Sequence, residues 1–243
     1  MKIKVKVNGK TKEVNTRNLY TYRAYKIFKE LKEMNLEPCN CSDDNKKLVP
    51  DENTAFLIWN LPAVKTCPFA TEHCKKFCYA KKAENAYPNC LPCRKRNFEL
   101  AKDTETFKQR MLYTILKKRF YCKKKWLIVR IHESGDFFNK AYADAWLGIA
   151  MQCAGEYIKF ICYTKSFPYF DGVKLPGNFF LRASIWDDTK PEHIETIKRN
   201  QWTTYTAVEK FQKGDTFSRC RCEDCASCGH CWSKRKDIRC EIH

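Results

Sequence analysis

Hydrophobic and polar residues alternate with two different periods along the chain. Over residues 1–15, valine and isoleucine alternate with lysine on both sides of Asn8-Gly9, a pattern typical of a β-hairpin. Apolar residues then recur every three or four positions from 19 to 35, which predicts a helix. The polar stretch 37–53 is interpreted as a loop. These elements predict a small N-terminal module over residues 1–53.

A second pattern begins at residue 54, where short apolar runs alternate with amphipathic segments. Strands alternating with helices of 10–15 residues predict βαβ units and a parallel sheet. About five strands are too few for a closed eight-stranded barrel, so we predict an α/β fold with a partial (β/α) barrel over residues 54–212. The Cys-rich remainder, 213–243, is predicted to be a metal-binding tail. The predicted strands cover 55–62, 126–131, 157–163, 178–184 and 202–207, and the predicted helices lie near 96–119, 140–154 and 191–199.

Polar stretches follow four of these strands. In parallel α/β sheets, sites lie beyond the carboxyl ends of the strands, so we expect the four stretches to converge on one face. They are a cysteine loop at 66–80 and the segments 132–136, 164–166 and 184–188.

The charge of the chain is strongly positive. Lys and Arg outnumber Asp and Glu by 46 to 28, a formal net charge of +18 among 243 residues. Such a surplus favours a polyanionic partner, namely nucleic acid or a nucleotide-like substrate. Because the lysines are spread along the whole chain, a solvated basic surface is the alternative interpretation.

The chain has sixteen cysteines. No apolar segment approaches the roughly 18 residues of a membrane span, and the first residues lack the apolar core of a signal peptide. We therefore expect a cytoplasmic protein with no membrane partner, whose thiols are reduced and mostly serve metal binding. Cys153 and Cys162 lie at core positions and are expected to be buried.

The first thiol group is Cys67-x6-Cys74-x3-Cys78. Closely spaced thiolates are typical ligands of zinc and of iron–sulfur clusters. Three protein ligands leave one coordination position open for chemistry, whereas a structural zinc site has four. A fourth ligand from far along the chain is the alternative.

The second thiol group lies in the tail. Repeated x2 spacing lets successive sulfurs surround one metal centre, as in ferredoxins, although four-cysteine zinc sites use the same spacing. We predict a second centre there. Cys240 lies beyond it, and Cys39-x-Cys41 in the polar loop is either a ligand pair or without a metal. The predicted ligands in the tail are Cys220, Cys222, Cys225, Cys228 and Cys231.

The remaining candidate residues are polar or aromatic and lie near the strand ends. In Glu133-Ser134-Gly135-Asp136, glycine permits close approach of a ligand, and the carboxylates can hold an ammonium group or ribose hydroxyls. A turn that caps the helix from Asn139 is the alternative. Lys165 and Arg182 can hold a carboxylate or phosphate, or they are surface charges. Tyr79, Phe137 and Phe138 can stack on a base, or they pack the barrel mouth. No catalytic residue follows from the sequence.

The motif Phe77-Cys78-Tyr79-Ala80, the acidic glycine motif at the next strand end and the partial barrel resemble the radical S-adenosylmethionine (SAM) superfamily. The resemblance implies a [4Fe–4S] cluster on the first cysteine group, whose open iron binds SAM and cleaves it reductively. It also implies that Phe77 lies by the adenine and that residues 133–136 receive the methionyl ammonium. The superfamily spacing is usually Cys-x3-Cys-x2-Cys, from which the x6 and x3 spacing of this chain departs.

Residues 130–137, Tyr163-Thr164 and the terminal Cys-x2-Cys-x2-Cys-Trp are similar to the bacteriophage "gene product 88" family, from about Ala55 to Trp232. We therefore expect a phage-type iron–sulfur protein with two clusters. We also expect an enzyme on nucleic acid or a nucleotide-like substrate, with an electron donor as partner if the cluster is redox-active. The alternative is a non-catalytic nucleic-acid-binding protein whose loops are fixed by zinc or a cluster. A purified protein that contains zinc and no acid-labile sulfide would support this alternative over the iron–sulfur enzyme.

Overall fold

The computed structural model describes residues 2–7, 10–15, 21–211, 218–220, 224–233 and 236–242, with the backbone alone described before residue 21. Its strands are β1 Lys2–Val7, β2 Lys10–Asn15, β3 Thr54–Trp59, β4 Trp126–Ile131, β5 Ile158–Thr164, β6 Phe179–Ile185, β7 Thr203–Val208, β8 Ser218–Arg219 and β9 Ile238–Glu241. Its helices are α1 Tyr22–Glu33, α2 Glu72–Lys76, α3 Tyr79–Ala86, α4 Cys90–Lys102, α5 Thr104–Tyr121, α6 Lys140–Gln152, α7 Pro191–Arg199, α8 Cys225–Cys228 and α9 His230–Ser233, with a short 3₁₀ turn at Phe167–Tyr169.

A seven-stranded parallel sheet forms a curved half-barrel, in the order β3-β4-β5-β6-β7-β9-β8. The prediction of a parallel α/β partial barrel is therefore confirmed. The expected number of strands was too low, because the Cys-rich tail adds β8 and β9 to the sheet edge. The tail is thus continuous with the sheet.

The two faces of the sheet are both apolar, which explains why its strands appear as unbroken hydrophobic runs. Alternate residues of β3 and β4, such as Leu57 and Val129, pack against α5 and α6 on the outer face. The residues between them, Phe56 and Ile128, face the concave side and contact Trp232 of the tail. The tail therefore fills the interior of the half-barrel.

The helix expected near 96–119 is two helices instead. Asp103 has extended backbone angles and caps α5, since its carboxylate accepts hydrogen bonds from Thr106 N at 3.2 Å and Thr106 Oγ1 at 2.7 Å. This local cap competes with a continuous helix and separates α4 from α5.

The N-terminal hairpin and helix form as predicted, except that the Asn8-Gly9 turn lies outside the described residues. Helix α1 packs on α5 through Phe28, whose ring stacks on Tyr113 and Phe120. The polar loop 37–53 contacts the sheet edge, where Ser42 pairs with Ile58 of β3.

Candidate thiol-rich functional site

The three thiols of the cysteine loop converge at the carboxyl end of β3. Cys67 lies in the turn after that strand, Cys74 lies within α2, and Cys78 caps α3. The Cys67 thiol lies within interaction range of the other two thiols and of the Asp136 carboxylate. The fold thus gathers ligands that are eleven residues apart in sequence.

Local hydrogen bonds fix the loop that carries these thiols. Thr71 caps α2 by accepting from Cys74 N at 3.2 Å. The Glu84 carboxylate of α3 accepts from Ala63 N at 2.8 Å and from Arg94 Nη1 at 3.0 Å. Because Glu84 and Arg94 are both nearly buried, this ion pair anchors α3 beneath the loop.

Lys165 supplies a positive charge beside the thiols. Its ammonium contacts Cys74 and donates to Ser184 Oγ at 2.8 Å, and the residue is buried. Burial raises the pKa of the Cys74 thiol, and Lys165 opposes that effect. Burial also raises the pKa of Cys67 to about 12, with Asp136 adding to the shift. The Cys67 and Cys74 thiols therefore stay protonated at neutral pH until a metal displaces the protons.

Asp136 connects the ends of β4 and β5. Its Oδ1 accepts from Thr164 Oγ1 at 2.6 Å and from Phe137 N at 2.8 Å, while Oδ2 accepts from Lys165 N at 2.8 Å. Burial raises its pKa, and these hydrogen bonds oppose the rise. The cap of α6 is Asn139, whose side chain accepts from Tyr142 N. The helix thus begins at Asn139, as the alternative expected, while the hydrogen bonds of Asp136 run to Phe137, Thr164 and Lys165.

The rest of the 133–136 motif is held against the β3 end. Ser134 Oγ donates to Leu61 O at 2.9 Å, and the Tyr79 hydroxyl donates to Glu133 O. The Glu133 carboxylate accepts from Asn45 Nδ2 at 2.9 Å, and its second oxygen has a longer 3.5 Å contact to Asn60 Nδ2. Glu133 thus keeps more hydrogen-bonding capacity than Asp136 does.

Gly135 is required by space as well as by conformation. Its φ is +84°, and an added Cβ would lie 2.6 Å from Thr66 Oγ1 and 2.7 Å from the Leu61 Cβ atom. This close approach packs the motif directly on the start of the cysteine loop.

The predicted aromatic residues differ in accessibility. Phe77 and Tyr79 are 37% and 55% exposed, and the Phe77 ring stacks on Trp186 with centroids 6.3 Å apart. Phe137, by contrast, is fully buried against His132 and Phe170, so its proposed stacking on a base is wrong. Phe138 is half-buried and stacks on Tyr142. Packing at the barrel mouth, the alternative interpretation, therefore explains the positions of Phe137 and Phe138.

Trp186 was not predicted, although it lies in the polar segment 184–188 that sequence position marked as a strand end. The adjoining Asp187 and Asp188 bind the cysteine loop. Asp187 Oδ1 lies 2.7 Å from His73 Nδ1, and Asp188 Oδ2 accepts from His73 N at 2.9 Å. These contacts close the loop over the carboxyl edge of the sheet.

The tail forms the second thiol group, on the concave face. Four of its cysteines line one cavity of about 30 Å³, together with His230 and Trp232. Cys240 interacts with Cys220 and Cys231 and therefore joins this group instead of the first. Cys222, which was also predicted as a ligand, lies outside the described residues. The four cavity-lining thiols are Cys220, Cys225, Cys228 and Cys231.

Burial and hydroxyl contacts control the electrostatics of this second group. Burial, together with the neighbouring thiols, raises the pKa of Cys225 to about 12. The Tyr163 hydroxyl contacts Cys231 and that of Tyr205 contacts Cys240. Cys153 and Cys162 are fully buried, as predicted. The described cysteines are free thiols.

Arg182 holds the tail in place. Its guanidinium donates to the carbonyls of His230, Cys231 and Lys236, and the side chain is 2% exposed. Its predicted contact with a cofactor anion stays a prediction, since these donors face backbone carbonyls here.

Arg130 lies between the two thiol groups. Its guanidinium carbon is 3.8 Å from the centre of the Tyr163 ring, and its charge acts on Cys225, Cys231 and the Tyr79 hydroxyl. Within the described part of the chain, its buried Nη1 has no hydrogen-bond partner. A cation with a spare donor thus faces the space between both groups.

A wider groove than the tail cavity lies elsewhere. It has a volume of about 770 Å³ and is lined by Ile194, Trp202 and Lys236 among others, at the amino ends of β7 and β9. Its lining contains no cysteine and no residue of the cysteine loop, so we assign the candidate site to the thiol groups instead. No helix among the described residues combines the length and apolar character that a membrane crossing requires.

A family model described as "Gene product 88" matches residues 36–234. The "Gene 88 protein" of Mycobacterium phage L5 is 34% identical over 196 residues, which cover 71% of this chain and 80% of the relative. The "Gene 88 protein" of Mycobacterium phage D29 is 26% identical over 200 residues, with the same coverage. No solved structure matches the chain.

Proposed function

The chain belongs to the gene product 88 family, and for this member we propose an iron–sulfur enzyme of radical-SAM type that acts on nucleic acid or a nucleotide-like substrate. The observation that carries the proposal is the convergence of Cys67, Cys74 and Cys78 at the carboxyl end of β3, beside Lys165 and Asp136. Three soft thiolate donors fit an iron–sulfur cluster with one open coordination position.

A [4Fe–4S] cluster with an open iron supplies the electron for reductive cleavage of SAM when both are bound. The residues of this chain have separate roles around it. Lys165 offsets the negative charge of the thiolates, because its ammonium lies against Cys74 in a buried setting. Gly135 lets the backbone approach the ligand, and Asp136 positions Thr164 and Lys165 through its three hydrogen bonds.

Glu133 is the acid that we assign to the methionyl ammonium. Asp136 has both oxygens engaged, whereas the second oxygen of Glu133 has a single contact of 3.5 Å. A carboxylate that receives an ammonium forms a charge-assisted hydrogen bond worth about 1.5–3 kcal/mol. Asn60 Oδ1 holds this backbone in place by accepting from Glu133 N at 2.8 Å and from Ser134 N at 2.9 Å.

The tail thiols hold a second cluster in this proposal. Four of them line one cavity on the concave face, and Arg130 lies between them and the first group. An electron donor would act through this second centre. The spare donor of Arg130 offers a contact for an anionic group of the substrate.

The net charge of +18 and the exposed rings of Phe77 and Tyr79 support an anionic, base-bearing substrate. Binding of DNA or RNA should weaken steeply with salt, since each neutralised phosphate releases a counterion.

The test is anaerobic purification followed by iron, sulfide and electron paramagnetic resonance measurements with and without SAM. SAM should change the spectrum of the reduced native protein. Cys74→Ser should lose the iron of one centre and keep that of the other. Glu133→Gln should weaken SAM binding about ten- to a hundredfold at unchanged iron content, whereas the exposed Glu99→Gln control should not.

Two results would refute the proposal. A colourless protein with zinc and no sulfide would instead indicate the zinc-stapled nucleic-acid-binding alternative. A reduced cluster whose spectrum ignores SAM would remove the open iron and leave an electron-carrying or structural cluster.

A further inference from the structure

Four cysteines outside both groups come together beside the β3 end. Cys39 and Cys41 lie in the loop that precedes β3, and Cys90 and Cys93 lie in the first turn of α4. The Cys41 thiol lies within interaction range of Cys39 and Cys93, and Cys90 lies within range of Cys93. Two pairs that are about fifty residues apart in sequence thus meet in the fold.

Backbone contacts that do not involve the thiols hold the loop there. Cys39 N donates to Thr114 Oγ1 of α5 at 2.7 Å. Asn97 Nδ2 of α4 donates to Asn40 O at 3.0 Å and to Asn60 O at 2.9 Å. Ser42 N donates to Ile58 O of β3 at 3.1 Å. The loop is therefore positioned over α4 by three different elements before any metal binds.

The local surroundings suit sulfur ligands. Cys39 is buried, and the other three thiols are half-buried. Asn40 Nδ2 donates to Cys93 Sγ at 3.0 Å, the kind of N–H contact that orients a metal-bound thiolate. Cys90 and Cys93 are three residues apart on one helix and therefore lie on the same face.

We propose that Cys39, Cys41, Cys90 and Cys93 form a four-thiolate zinc site. Four thiolates saturate tetrahedral zinc and leave no open position, so the site fixes structure and does no chemistry. It would join the loop 37–53 to α4 next to Glu133, which Asn45 of the same loop contacts. The sulfurs are wider apart here than in a closed zinc site, since no three described thiols lie mutually within 4.8 Å. Side-chain rotation must therefore accompany metal binding.

The experiment uses the full-length protein purified without added metal, with zinc, iron and sulfide measured per chain. Cys41→Ala and Cys93→Ala should each lose one zinc per chain and keep iron and sulfide. Cys93→His should retain the zinc, because three cysteines and one histidine also form structural zinc sites. Cys122→Ala is the matched control, since that half-buried thiol accepts from Lys124 N outside the group and should leave zinc unchanged.

A second measurement uses the native chain and therefore does not depend on whether the variants fold. Removal of zinc with a chelator should raise amide hydrogen exchange at residues 39–42 and 90–93 several-fold more than at β4. The proposal is overturned by a native protein without zinc, by unchanged zinc in Cys93→Ala, or by loss of iron and sulfide together with the zinc. Unaltered exchange after zinc removal would also overturn it. The result is independent of SAM binding at the first thiol group.

Discussion

Replacement of Arg182 by Met should release the tail from the concave face of the half-barrel. The buried guanidinium serves three backbone carbonyls, those of His230, Cys231 and Lys236. Met has a similar length and no donor, so the carbonyls lose a charged partner while the apolar packing stays. Hydrogen bonds to charged groups contribute about 1.5–3 kcal/mol each, and losing a buried charged partner costs about 3–5 kcal/mol in total because such bonds are not additive.

Hydrogen exchange of the amides in 225–233 measures this cost directly. Since 1.4 kcal/mol corresponds to a factor of ten, a loss of about 3–5 kcal/mol should reduce protection there by roughly a hundred- to a few thousandfold. The amides of β4 should change much less, because that strand pairs with β3 and β5 and not with the tail. The metal that we propose for the tail group should become accessible to chelators.

Arg199→Met is the matched control. Its guanidinium pairs with Asp171 at 2.6 Å on the surface, with 60% of the side chain exposed. Exposed ion pairs contribute about 0–1 kcal/mol, so this variant should leave tail protection within a few-fold of native. Equal protection in Arg182→Met and Arg199→Met would refute the interpretation of Arg182 as the anchor of the tail.

Two further predictions concern the 132–136 segment. Gly135→Ala should lower the free energy of unfolding by about 2–4 kcal/mol in urea titrations, because the added Cβ would collide with Thr66 and Leu61. Gly172→Ala is the control and should cost about 1 kcal/mol, since Gly172 has a φ of +68° but open space around it. Equal losses in the two variants would contradict the collision. Burial, reinforced by Arg130, lowers the pKa of His132 to about 3 from 6.5. The unfolded chain therefore binds the proton first, and stability should fall by about 2 kcal/mol between pH 7 and pH 5. His132→Asn, which tolerates the φ of +61°, should remove that slope, and an unchanged slope would show that His132 is not its source.

Five strands of the sheet were predictable from their strand-like runs between turn signals, and β3 to β6 are mostly buried whereas β7 is half-buried along its length. Most observed strand ends lie within one residue of the predicted ends. The exception is the first strand, which was predicted to run to Pro62 and ends at Trp59. There the chain turns because Asn60 Oδ1 accepts from Glu133 N and Ser134 N of the neighbouring strand end. Such a long-range contact has no sequence period.

The strands of the tail could not be predicted. β8 has two residues and β9 has four, and neither has the alternation or the length that identifies a strand. Their pairing depends on β7, against which Ile238 aligns with Tyr205. The tertiary contact, rather than local preference, therefore makes these segments strands.

The candidate site was predictable in its ligand types and only partly in its geometry. Spacing grouped the thiols of the cysteine loop and of the tail apart from Cys240, and topology placed Lys165 and residues 133–136 at the same edge. The role of Arg182 depends on where the tail folds, and the unpartnered donor of Arg130 appears only once β4 and the tail are opposed. Neither feature has a signal in the sequence.

The topology also predicts that the thiol groups would lose the proposed metals independently. The first group lies at the carboxyl end of β3, the tail group on the concave face, and the group of Cys39 and Cys93 over α4. Each is held by a different anchor, respectively the Glu84–Arg94 pair, Arg182, and Asn97 with Thr114. Because metal binding contributes folding energy locally, loss of one metal should loosen its own anchor and leave the others in place. Sequential release of iron and zinc during chelation, rather than one cooperative step, is the expected consequence of this separation.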